Sequence, residues 1–179
     1  KETRMHLGFM RTNPKGPDVD SELILKEPYG AVLPSDHPLA MKNRIPLGAL
    51  AGERFILWPP SLVDQAYDEL VAACRRHGFA PNVSQETLNA HTIMGMVSAR
   101  MGVSLLAYSY RHLNRPGVRM VPIQGLSTEL RLAWVHPLAS PLVRQFRQLT
   151  HQIAMEQEPQ YPVSCPEDLP LVVELPTGL

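Results

Sequence analysis

Residues 45–109 read IPLGALAGERFILWPPSLVDQAYDELVAACRRHGFAPNVSQETLNAHTIMGMVSARMGVSLLAYS. Strand, helix, strand, helix and strand alternate in them without interruption. Glu53–Trp58 (ERFILW) is a short apolar run that Pro59-Pro60-Ser61 breaks. Leu62–His77 then places Leu62, Val63, Ala66, Tyr67, Leu70, Val71 and Cys74 on one helical face. Ser61 stands where an N-cap belongs, and Asp64 three residues later completes a capping box. Gly78 ends the helix after Arg75, Arg76 and His77, whose charges suit its negative end. Ala80–Gln85 is a short strand. Leu88–Arg100 is a second helix, with Thr87 as N-cap, Gly102 just past its end, and Leu88, Ile93, Met94, Val97 and Met101 among its apolar residues. Val103–Tyr108 (VSLLAY) is a buried strand. Such βαβ alternation calls for a parallel sheet covered by helices, and these sheets bind small ligands at the carboxyl ends of their strands.

Outward from this block the pattern loosens. His6–Met10 is a strand ending at Arg11, and Thr12–Asp20 is a Pro/Gly/Asn loop. Glu22–Leu33 is a long extended segment with Pro28 and Gly30 in its middle, the form of a strand passing from one sheet to another. Pro34–Arg44 is a loop. Asn114–Gly117 (NRPG) is a turn leading to two further strands, Val118–Ile123 and Glu129–Val135. Ser140 caps a third helix with Pro141 in its first turn; Leu142, Val143, Phe146, Leu149 and Ile153 form its apolar face, and it ends near Glu156. Residues 158–179, with five prolines and no basic residue, read as an extended or disordered acidic tail.

The 179 residues suffice for one domain or two small ones, with 44% apolar and 19% charged residues as in ordinary globular chains. No apolar run is long enough to span a membrane, and KETRMHLGF does not read as a signal peptide. The chain opens without Met and reads as a fragment. Formal net charge is zero, yet the 17 basic residues all precede residue 158 while Glu158, Glu167, Asp168 and Glu174 lie beyond it. The remaining excess of positive charge is too mild and scattered for a nucleic-acid footprint. Cys74 reads as a buried reduced thiol, with a disulfide to Cys165 as the alternative, and a reducing cytoplasm follows.

No spacing of the seven His residues fits a metal motif, neither Cys sits in CxxC, and no nucleophile elbow, P-loop or GxGxxG occurs. Neither a metal nor a cofactor is expected. Cys74 sits mid-helix on an apolar face, the wrong setting for a nucleophile. Glu86 reads as a solvated carboxylate rather than a base. HPLA occurs at His37–Ala40 and His136–Ala139, either a paired site or two unrelated turns. What remains is a set of polar groups at strand ends and helix starts: Arg11, Ser61, Gln65, Thr87 and Asn89. Helix N-termini offer free N–H groups to a carboxylate or phosphate, and an opposing Arg can clamp it bidentately. Ser61 and Thr87 serve equally well as plain caps, and Arg11 as a surface charge.

In order along the chain, LGFMR, ILKEPYGAVLPSDHPLA, IPLGALAGERFILWPP, ACRRHGFAPNVSQET and MVSARMGVSLLAYS resemble the effector-binding domain of LysR-type transcriptional regulators, over about residues 6–156. The resemblance implies an α/β, two-subdomain fold with parallel-type sheets, like that of periplasmic binding proteins. Residues 1–29 and 116–157 would form a partial first subdomain and residues 30–115 the second, joined by two crossing strands. It implies a small organic acid effector between the subdomains, a homodimer or tetramer, and DNA contact only through a winged helix-turn-helix that this chain lacks. Arg11, Ser61, Gln65 and Asn89 match cleft positions. The family usually carries Gly or a small residue where Arg100 stands, and Pro where Ala107 stands. A cytoplasmic sensor, not an enzyme, is the expectation. A solute-binding protein of the periplasmic type is the alternative; an enzyme on this fold needs an acid/base pair or an anchored cofactor, and neither is found.

Overall fold

Two long strands run side by side and the other described elements gather around them. In the computed structural model, which describes residues 7–14, 16–61, 64–135 and 141–157, β2 (Val19–Pro34) and β6 (Val118–Val135) pair antiparallel from Val19↔Val135 to Pro34↔Val118. The sequence suggests two strands where β6 is one. The reason is a break within the ladder rather than within the strand: pairing jumps from Pro28↔Ser127 to Gly30↔Pro122. Pro28 has no N–H to donate, and β6 takes up the slack with Gly125 at φ +67°. With β1 (Leu7–Met10) and β5 (Ser104–Ala107) these strands make a four-stranded sheet of order β1-β6-β2-β5, antiparallel throughout.

The parallel pairing expected from the βαβ block lies beside it. β3 (Arg54–Leu57) and β4 (Asn82–Glu86) pair parallel, and Phe55 bridges Val103 in parallel at the entrance to β5. The crossovers are α1 (Asp64–Arg76) and α2 (Ala90–Ser98). Strand alternation sends neighbouring residues to opposite faces. Phe55 and Leu57 join Leu33, Leu70 and Cys74 on the α1 side, while Ile56 joins Val32, Ile93, Val97 and Leu106 on the α2 side. A separate cluster of Leu132, Trp134 and Val143 lies under α3 (Pro141–Gln157).

Helix boundaries shift from the sequence expectation. Asn89, not Thr87, caps α2: its side chain accepts from the His91 N–H at 2.8 Å, whereas the Thr87 N–H is tied to the Leu57 carbonyl. Leu88 and Met101 fall outside this shorter helix and are exposed. Ser61 lies in a turn ahead of α1, and Leu62 and Val63, which separate it from the first described residue of the helix, fall outside the described residues, as the cap expected at Ser61 therefore does. The second HPLA, Ser140 and the tail with Cys165 also lie outside them. Both helices end in the same motif. At α1, the Phe79 N–H donates to the Cys74 carbonyl and the Gly78 N–H to Arg75, with Gly78 at φ +84°. At α2, Met101 donates to Met96 and Arg100 to Val97, and Arg100 holds the left-handed position at φ +60°.

The third helix departs most. Val143 is buried, but Leu142, Phe146, Leu149 and Ile153 are exposed. Polar contacts dock α3 instead. Arg147 donates two hydrogen bonds to Glu22, at 2.9 and 2.6 Å, and stacks over Trp134 at 4.2 Å. His151 lies 3.3 Å from the same carboxylate. Burial raises the Glu22 pKa, but the hydrogen bonds and charges of Arg147 and His151 outweigh it and the net shift is downward.

Arg100→Gly is expected to raise stability by about 1 kcal/mol, because glycine occupies the left-handed cap without strain. The exposed Asp36 pair lost with Arg100 contributes little. Urea unfolding measures it, and a fall in midpoint refutes the strain. A depressed native pKa means that the contribution of Glu22 is present above its ordinary value of 4.5 and is lost as pH falls below it. Glu22→Gln is therefore expected to destabilise the chain at neutral pH and to converge on the parent in acid; parallel urea midpoints across pH would contradict that.

Candidate functional site

Because β3, β4 and the entrance to β5 run parallel, their exits lie at one edge: Trp58–Ser61 after β3, Thr87–Asn89 after β4, and a 3-10 segment, Tyr108–Leu113, after β5. Arg11, at the exit of β1, reaches the last of these. Its Nη2 lies 2.8 Å from Glu27 Oε1 and donates to Ser109 Oγ at 3.3 Å. Ser109 in turn donates to Glu27 twice, from its backbone N–H at 2.6 Å and its hydroxyl at 3.1 Å. The Glu27 side chain is 0% exposed. A carboxylate so buried needs such partners, since an unpaired charge there is prohibitively costly.

The Arg11 guanidinium is only half used by this network. Nη1 is buried and finds no hydrogen-bond partner among the described residues. A charged donor in that state carries the full cost of its desolvation and is aligned for a second acceptor. The Tyr110 ring flanks it, 5.9 Å from Arg11 Cζ. Tyr29 stands nearby on β2. Burial raises its phenol pKa, the Glu69 charge adds to the rise, and the Thr128 hydrogen bond and Arg11 charge oppose it. The phenol is therefore a protonated donor at neutral pH.

Between α1, α2 and the strand ends is a cavity of about 30 Å³, lined by Tyr29, Trp58, Tyr67, Ile93 and Ser104 among others. It has room for a water or two. An organic ligand enters only if these aromatic rings part. The Trp58 indole N–H is buried in this region without a partner among the described residues.

Arg11 is thus central, but its clamp is shared with Glu27 rather than opposed by helix N-termini alone. Asn89 is spent as the α2 cap. Gln65 donates to Glu69 at 3.0 Å along α1. Thr87 holds the β3–β4 edge through its backbone, and Ser61 is exposed in the turn beyond β3. The sequence reading missed Glu27, Ser109, Tyr29 and Tyr110. Cys74 is buried, which pushes its thiol up to about 11 and leaves it unreactive at neutral pH. His37 organises its own loop, accepting from the Leu39 N–H at 3.1 Å and meeting Glu53 at 3.2 Å.

Glu27→Gln is expected to lower stability by about 3 kcal/mol, because it strands Arg11 beside a neutral group. Adding Arg11→Met to it should recover part of the loss. Urea unfolding of both variants tests this, and a cost under about 0.5 kcal/mol, the range of ordinary surface changes, counts against the pair.

The LysR substrate binding domain model matches residues 1–154. The chain is 34% identical over 149 residues to the uncharacterized HTH-type transcriptional regulator YnfL of Escherichia coli (strain K12), covering 82% of this chain and 50% of that protein. It is 31% identical over 156 residues to the HTH-type transcriptional regulator CatR of Pseudomonas putida, covering 86% and 54%. The chain therefore spans about half the length of these curated relatives. Among solved structures, the BenM effector binding domain with its effector benzoate superposes with a TM-score of 0.76 at 22% identity, over 94% of this chain and 78% of that one. CbnR, a LysR family transcriptional regulator, gives 0.74 at 17% identity, over 84% and 53%. The fold is that of LysR effector-binding domains, and the chain belongs to the LysR substrate-binding domain family.

Proposed function

We propose that this chain is the sensing domain of a LysR-type transcription factor and that it binds a small organic carboxylate at the edge where β3, β4 and β5 end. The observation that carries this is the unpartnered, buried Nη1 of Arg11, a cationic donor held in place by Glu27 and Ser109. Ser61, Gln65, Thr87 and Asn89 supply the polar rim at the neighbouring strand exits, and Tyr29 and Trp58 the aromatic floor. The regulators among its relatives and the benzoate bound by BenM support a carboxylate sensor over a solute-binding protein of the periplasmic type. On this proposal the protein regulates rather than catalyses, works in the cytoplasm, assembles as a homodimer or tetramer, and needs no cofactor. DNA contact falls to a winged helix-turn-helix outside these residues. Among the described residues no helix is long and apolar enough to cross a membrane.

Sensing follows from the size of the site. A cavity with room for no more than a water or two admits an organic acid by shifting the chain toward a more open arrangement of α1, β2 and the segment after β5. A ligand moves that balance only as far as it prefers one state. The test is a thermal-shift screen against aromatic and aliphatic carboxylates, with Arg11→Ala alongside. Binding to the native state stabilises it by about 2.7 kcal/mol at a ligand concentration a hundredfold above Kd. The midpoint is expected to rise with ligand concentration in the parent and to stay flat in the variant. A rise that survives Arg11→Ala removes Arg11 from the site, and no rise with any carboxylate contradicts the sensor.

A further inference from the structure

Leu142, Phe146, Leu149 and Ile153 recur along α3 at spacings of four, three and four residues. They are 74%, 41%, 53% and 48% exposed. Successive residues turn by about 100° around a helix, so the four form one narrow band. The band lies to one side of Val143, Arg147 and His151, which dock the helix on the sheet. A helix that packs broadly on a sheet carries a wider stripe, whereas a band with a 3.5-residue period is the seam that meets another helix. Phe9, on the edge strand β1, extends the patch: it is 51% exposed, and its ring lies 6.1 Å from that of Phe146.

The band is built to meet itself. Its spacing reads the same in both directions, so an antiparallel pair about a two-fold axis sets Leu142 against Ile153 and Phe146 against Leu149, each twice. Gln145 and Gln152 border it on the solvent side and Thr150 on the docked side, while Arg144 stands on the opposite side of the helix. Two copies therefore bring no like charges together along the seam. Glu156, past the last apolar residue, comes to the positive start of the second helix. At roughly 200 Å² for a full large apolar side chain, the exposed fractions of these four residues and Phe9 amount to roughly 500 Å² per copy. Two copies then bury about 1,000 Å², the size from which a specific interface holds. We propose, resting on the self-association inferred above, that α3 with Phe9 is a homodimer contact in which the α3 helices of two copies of this chain pair antiparallel along Leu142, Phe146, Leu149 and Ile153.

The test is sedimentation equilibrium of the full 179-residue chain over a range of concentrations. The parent is expected to dimerise reversibly. Leu149→Lys, at an exposed position where folding is not at stake, should weaken dimerisation by at least about tenfold. Gln148→Lys, on the far side of the helix, should leave it unchanged. Leu142→Lys and Ile153→Glu should each weaken it, and the two together should restore it, because antiparallel pairing sets position 142 of one copy against position 153 of the other. A parent that dimerises with indifference to Leu149→Lys overturns this face and leaves self-association to another. A parent that stays monomeric at every concentration overturns both. A double variant that stays dissociated overturns the antiparallel pairing. Failure of the carboxylate site shows separately, as a thermal shift indifferent to Arg11→Ala.

Discussion

The buried carboxylate of Glu27 is the constraint on which the middle of this molecule depends. It sits on β2 beside the break in the β2–β6 ladder, just before Tyr29–Val32, the stretch that also pairs with β5. A charge with no access to water must be met by fixed donors. Here they come from Arg11, sixteen residues upstream, and from Ser109, 82 residues downstream. Satisfying one side chain therefore fixes where the exit of β1 and the exit of β5 lie. The site is a by-product of that requirement: the residue that neutralises Glu27 has a second nitrogen left over.

The helices are held by different physics. α1 and α2 bury apolar residues against opposite faces of the strands, Leu70 and Cys74 on one side and Ile93 and Val97 on the other. α3 keeps most of its apolar residues in the open and is held by the Glu22–Arg147–His151 group over Trp134. Non-directional burial tolerates small shifts. A two-pronged ion pair stacked on an indole is directional and titratable. The first kind of packing suits the scaffold of the strand edge, and the second makes the seating of α3 responsive to solution conditions.

Much of the architecture was legible because it rests on local patterns. The βαβ block announces itself through helical periodicity, Gly78 and the apolar runs of β3 and β5, and the family resemblance over nearly the whole chain adds the two-subdomain plan. Boundaries were less legible where two residues compete for one role: Thr87 and Asn89 are both good caps, and backbone pairing of Thr87 with β3 decides for Asn89. The site itself was half visible. Arg11 stands out as a charge ending a strand. Glu27 does not, since nothing in ILKEPYG distinguishes a buried carboxylate from the exposed Lys26 beside it, and its partners are remote in sequence. The apolar stripe of α3 shows the opposite limit: periodicity reveals which face a helix could bury, not whether anything covers it.

Tyr110 is one ring with two duties. It borders the Arg11 guanidinium on β1's side of the joint and forms a wall of a larger cavity against α2. A side chain shared in this way has a single free-energy surface. Whatever stabilises one of its positions from one side must change the ease of occupying that position from the other, by the same factor in both directions. An acid that settles beside Arg11 would then alter the wall of the cavity on the far side of the ring, and its arrival would be felt some distance from where it binds.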